Sequence, residues 1–73
     1  MKLDLHGKSH YEVNSLVDSF IWDSMKKDLI EVEIVTGNSD RMKEFVIEII
    51  NEYKLEYVIG DMWNSGYIKV FLR

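Results

Sequence analysis

Apolar and polar residues alternate at the start of the chain. Leu3 and Leu5 fall on one side and Lys2, Asp4 and His6 on the other, a period of two that predicts a short half-buried strand over residues 2–6, closed by a turn at Gly7. The period then lengthens. Val13, Leu16, Val17, Phe20, Ile21 and Ser24 recur at steps of three and four, one face of an amphipathic helix running to about Lys27. Ser9 and Glu12 precede it with the spacing of a capping box, in which each side chain satisfies a free backbone N–H of the first turn. Lys26 and Lys27 suit the negative end of the macrodipole. Over residues 31–36 the alternation returns, with Val32 and Ile34 opposite Glu31, Glu33 and Val35, and it stops at Gly37. Asn38 or Ser39 caps the next helix, whose stripe is Met42, Phe45, Val46, Ile49, Ile50 and Tyr53. Two further strands are predicted over residues 55–60 and 67–73, joined by residues 61–66. In the last, Ile68, Val70 and Leu72 face inward and Tyr67, Lys69 and Phe71 outward.

The order β-α-β-α-β-β places the chain in the α/β (α+β) class. Strand–helix–strand units make right-handed parallel crossovers, so both helices cover one face of a four-stranded mixed sheet in a two-layer sandwich. In such sheets ligands gather at the carboxyl ends of the parallel strands. The first strand ends in Asp4-Leu5-His6-Gly7 and the second in Thr36-Gly37-Asn38-Ser39. With the third strand parallel to these, the turn through Trp63 and Gly66 opens at the same edge, and three loops meet around an Asp and a His.

Composition narrows the chemistry. Seventy-three residues make one domain, and 47% hydrophobic with 30% charged residues is the balance of a soluble globule. Cysteine is absent, which excludes disulfides, thiolate metal sites and cysteine nucleophiles. A metal site would rest on two histidines and thirteen carboxylates alone, and none is expected; nor is a cofactor. No apolar run approaches the ~18 residues of a membrane span, and the N-terminus lacks a signal-peptide stretch, so the expectation is a cytoplasmic protein with no membrane partner. The net charge of −4 argues against nucleic-acid binding by bulk electrostatics; any such contact needs a local patch or a delivering protein.

Asp4 and His6, two apart on a strand, point the same way, so the carboxylate is positioned to orient an imidazole that exchanges protons near neutrality. Gly7 lets backbone or substrate approach closely. Thr36 to Ser39 opens a helix whose free N–H groups form an anion site. A proton-transfer pair beside a phosphate cradle points to phosphodiester chemistry. Trp63 and Tyr67 are candidates for base stacking, Tyr67, Lys69 and Phe71 forming an outward platform opposed by Glu31 and Glu33. His10, in the first helical turn, reads as solvated, and Trp22, off its helix's apolar stripe, as packing at the rim.

Leu3-Asp4-Leu5-His6-Gly7 matches the L-D-L-H-G opening of the Smr (small MutS-related) domain. Thr36-Gly37-Asn38-Ser39 stands where that family has its T-G-x-G loop, and Gly66 to Leu72 resembles its closing glycine and alternating strand. The resemblance spans essentially the whole chain. It implies a fold similar to the C-terminal domain of a bacterial translation initiation factor, and nuclease activity on RNA or branched DNA. Asp4 and His6 would be the catalytic pair, with His6 taking a ribose 2′-OH proton, Asp4 holding its tautomer and no metal required. Gly7, Thr36, Gly37, Asn38, Ser39, Gly66 and Lys69 are the expected phosphate-binding residues, and the ribosome or a delivering protein the expected partner of a monomer. Ser39 replaces the motif's second glycine and Asp40 follows it, departures expected to weaken substrate binding more than the catalytic pair. A binding module for nucleic acid or a ribosomal surface, or a protein-interaction domain, is the alternative.

Overall fold

The computed structural model describes residues 1–73. Its elements are β1 (Lys2–Asp4), α1 (His10–Lys26), β2 (Glu31–Val35), α2 (Asp40–Glu52), β3 (Glu56–Ile59) and β4 (Tyr67–Phe71), the order expected from the periodicity. The sheet runs β1-β2-β4-β3. β1 pairs parallel to β2 with Leu3 opposite Ile34, and β4 lies antiparallel to both β2 and β3. Because β4 opposes both neighbours, β3 points the same way as β1 and β2. The carboxyl ends of all three therefore share one edge of the sheet.

Alternation decides which side of the sheet is covered. Leu5, Val32, Ile34, Ile68 and Val70 join Val13, Val17, Phe20 and Ile21 of α1 and Met42, Val46, Ile49 and Ile50 of α2 in a single buried core. The opposite parity leaves Lys2, Asp4, Glu31, Val58 and Glu56 exposed, with Glu33, Val35, Tyr67, Lys69 and Phe71 half-buried, on a face that no helix covers. Two loose ion pairs, Lys2–Glu33 and Lys69–Glu31, both 4.0 Å, lie there. Ser24 interrupts the apolar stripe of α1 without leaving an orphan, since its hydroxyl donates to the Phe20 carbonyl at 2.7 Å.

Helix starts follow the capping chemistry read in the sequence. The Ser9–Glu12 capping box forms, the Glu12 carboxylate accepting the Ser9 N–H at 2.9 Å. Ser39, rather than Asn38, caps α2, its Oγ accepting the Met42 N–H at 3.1 Å. The strands are shorter than their alternation suggests. β1 stops at Asp4 instead of His6, because the Asp4 carboxylate accepts the His6 backbone N–H at 2.9 Å and the Lys8 N–H reaches back to the Leu5 carbonyl at 3.0 Å. Leu5 still donates to the Val35 carbonyl at 2.8 Å, so the last rung of the ladder survives while the chain turns away.

Candidate active site

Two strand ends and two helix starts enclose one open groove of about 450 Å³. His6, Gly7, Lys8 and His10 form one wall and Thr36, Gly37, Asn38 and Ser39 the other, with Leu5 and Met42 at the base. The topology alone requires this: β1 leads into α1 and β2 into α2 at the same sheet edge, so both helix N-termini open onto it.

The second wall is clasped from behind. The Thr36 and Gly37 N–H groups both donate to the Gly66 carbonyl at 2.9 Å, and the Thr36 hydroxyl donates to the Gly37 carbonyl at 3.1 Å. Thr36 is only 3% exposed. Its hydroxyl and amide, like the Gly66 carbonyl, are thus engaged in joining the β2 exit to the β4 entrance. Gly66 is buried too, and its N–H donates to Asn64 Oδ1 at 2.8 Å. Gly37 has φ +66°, and a Cβ there would lie 3.4 Å from the His6 ring. A larger residue would strain the backbone and crowd the imidazole.

Donors remain on the groove side. The N–H groups of Gly7, His10, Asn38 and Ser39, which line the groove, have no acceptor within the protein, and neither do those of Tyr11, Asp40 and Arg41 just inside the helices. These are the unpaired first-turn amides of α2 and α1, and they carry the positive ends of the helix dipoles. Lys8 adds a full positive charge to the wall. Asp40, in the first turn of α2, opposes it. The Glu12 carboxyl is held below its usual value by the N–H and hydroxyl of Ser9 and by the nearby Lys8, so its charge is turned onto the cap.

The sequence-derived candidates separate into those the fold brings together and those it does not. His6, Gly7, Thr36, Gly37, Asn38 and Ser39 meet at the groove. Asp4 does not line it. Asp4 has the parity of the open sheet face, and its carboxylate binds the backbone of His6; the two side chains make no hydrogen bond to each other. Lys69 lies well inside the open face, opposite Glu33 in register and 4.0 Å from Glu31. Tyr67 sits nearer the edge on that face, its hydroxyl donating to Asp61 Oδ2 at 3.1 Å. Trp63 is 89% exposed on the β3–β4 connection. Lys8 and His10 are the groove residues that sequence reasoning missed. Their signal was position: the residues from a strand's carboxyl end into the first turn of the capped helix border the same edge as the strand end.

Asp61 organises the third loop. One carboxylate oxygen accepts the N–H groups of Trp63 at 2.8 Å and Asn64 at 2.7 Å, and these bonds hold its carboxyl below the usual aspartate value. Desolvation, and then the adjoining Asp61 carboxylate, raises the Tyr67 hydroxyl. Because Asp61 is easier to ionise in the folded state, its contribution to stability is complete above the ordinary aspartate value of 3.8 and fades as pH falls through the lower folded one. Asp61→Asn should therefore lower the urea midpoint at pH 7, with the difference from wild type shrinking towards pH 3. A difference that persists undiminished in acid would show that the carboxylate's charge is not the cause.

A family model described as the Smr domain matches residues 3–70, from β1 into β4. No curated protein and no solved structure matches the chain.

Proposed function

The chain belongs to the Smr domain family, which is associated with nucleic-acid binding and nuclease activity, and from that premise we propose that it is a metal-independent endonuclease acting on RNA. One observation carries the reading: an exposed imidazole, a lysine and a row of unpaired helix-start amides share a single open groove. His6 acts as general base, removing the proton from a ribose 2′-OH. The 2′-oxygen attacks the adjacent phosphorus, and charge gathers on the non-bridging oxygens. The amides of Asn38 and Ser39, fixed before the reaction begins, and the Lys8 ammonium stabilise that charge. Asp4 is a positioning residue in this scheme. It pins the backbone of His6 instead of the ring. Thr36 and Gly66 hold the amide wall in place from behind.

RNA fits the arrangement better than DNA because the nucleophile is then part of the substrate, and the groove needs to supply only a base and a charge-stabilising wall. The test is incubation of single-stranded RNA and branched DNA with the protein in EDTA. RNA cleavage that EDTA leaves intact supports the proposal. Cleavage abolished by EDTA contradicts the metal-free mechanism. Salt-sensitive binding without cleavage favours a binding module, a reading supported by Asp40 and the net charge of −4, which leave few cations to neutralise phosphates.

With so few groove cations, aromatic contact has to contribute to affinity. Trp63 is held in an exposed position by the Asp61 bonds to its own N–H and that of Asn64. Stacking of a base on an aromatic ring is worth about 1–3 kcal/mol, so Trp63→Ala should weaken single-stranded RNA binding by about 5- to 150-fold in fluorescence anisotropy. Tyr67→Phe, which only breaks the bond to Asp61, should change binding far less. Unchanged affinity in Trp63→Ala would remove that residue from the interface.

A further inference from the structure

We propose that His10 is the general acid of this site, delivering the proton that the leaving 5′-oxygen requires. The inference rests on the reading of His6 as the base.

Breaking an RNA strand by 2′-oxygen attack needs two proton transfers, one at each end of the line through phosphorus. His6 accounts for the first. A second imidazole lies in the same groove: His10, four residues further on, at the opposite end of the turn that leads into α1. Both residues line the same groove, so both imidazoles border a phosphodiester bound there. The backbone of His10 is fixed as the first residue of α1, and its ring rests against Phe45 of α2 with centroids 4.8 Å apart and planes tilted by 44°. That contact orients the ring without burying it, since His10 remains exposed.

The charged neighbours are few. Lys8 and His6 share the groove, Asp40 stands in the first turn of α2, the Glu12 carboxylate is turned back onto Ser9, and Arg41, Glu44 and Glu48 border Phe45 on α2. Lys8 also carries a transferable proton, but an alkylammonium is a much weaker acid than an imidazolium and a poorer proton donor to a leaving group. Lys8 therefore serves the phosphate charge and His10 the leaving group. The step balances. His6 takes the 2′-O–H proton, the bond from the 2′-oxygen to phosphorus forms, the bond from phosphorus to the 5′-oxygen breaks, and the His10 proton passes to that oxygen. The products are a 2′,3′-cyclic phosphate and a 5′-hydroxyl. Solvent then restores both rings.

The experiment uses a DNA oligonucleotide holding a single ribonucleotide, with either oxygen or sulfur bridging the scissile phosphorus to the 5′-carbon. A thiolate leaves without protonation, so the sulfur substrate needs no acid. Wild type, His6→Ala, His10→Ala, His10→Gln and Lys8→Ala are compared under single turnover across pH. Both His10 variants should lose about 10²- to 10⁴-fold on the oxygen substrate, lose the alkaline limb of the rate profile, and match wild type on the sulfur substrate. His6→Ala should be slow on both. His10 variants that are equally slow on both substrates would indicate a structural role and overturn the proposal, as would rescue of Lys8→Ala by sulfur. If His6→Ala alone is defective, the base assignment stands and the role of His10 is lost. If wild type cleaves neither substrate, both assignments fall.

Discussion

Replacing His6 with alanine should slow RNA cleavage by about 10²- to 10⁴-fold, the usual contribution of one positioned general base, while the protein stays folded and still binds RNA. The separation of rate from binding follows from where His6 stands. It is exposed at the groove wall, so its ring can be removed without opening a core cavity. The amides of Asn38 and Ser39 and the lysine on the groove wall are untouched by the substitution. Such a loss corresponds to about 3–5.5 kcal/mol of transition-state stabilisation. Asp4→Asn should have a smaller effect, because an asparagine oxygen still accepts the His6 N–H. Single-turnover rates measured alongside anisotropy titrations test both statements. A His6→Ala protein that cleaves at the wild-type rate would remove the base from the mechanism, and one that no longer binds would make His6 a ligand for substrate.

The largest effect on stability is expected from Ile34→Ala. Ile34 has no exposed surface, and β2 holds it between Leu3 of β1 and Ile68 of β4 at the centre of the sheet. Truncating it removes apolar contacts on both sides and leaves a cavity that fixed strands cannot close. The cost for such sites is about 2–5 kcal/mol. Small domains have total stabilities of about 5–15 kcal/mol, so the variant should lose a large part of its folded population under mild denaturant. Urea titration gives the value directly. Val58→Ala is the control: Val58 lies on the open face of the edge strand β3, 47% exposed, and its truncation should change stability by well under the Ile34 value. Equal losses in the two variants would mean that the core is not where the burial pattern puts it.

The periods of two and three-to-four were enough to read the element order, the mixed sheet and the face that the helices cover, because burial in a small two-layer fold follows directly from them. Ser39 and the capping box were legible for the same local reason. The candidate site was legible only in part. Convergence of the β1 and β2 exits follows from topology, which is why His6, Gly37 and Ser39 meet. The relation of Asp4 to His6 did not follow, since the rule that residues two apart share a side holds only while a strand continues. Here the Asp4 carboxylate itself helps end the strand. Alternation assigned Lys69 to the outer face but could not give its depth; the pairing with Glu33 sets it back from the edge. Thr36 carried a hydroxyl suited to phosphate, yet its burial depends on Gly66, thirty residues away, a contact no local pattern encodes.

The most direct test of the central claim, that His6 activates the substrate's own hydroxyl, is cleavage of an RNA in which one nucleotide at a mapped cut site lacks its 2′-OH. The proposal predicts that cutting stops at that position alone and that neighbouring cuts leave 2′,3′-cyclic phosphate ends in EDTA. Undiminished cutting at the deoxynucleotide would contradict it, because water or another group would then have to be the nucleophile.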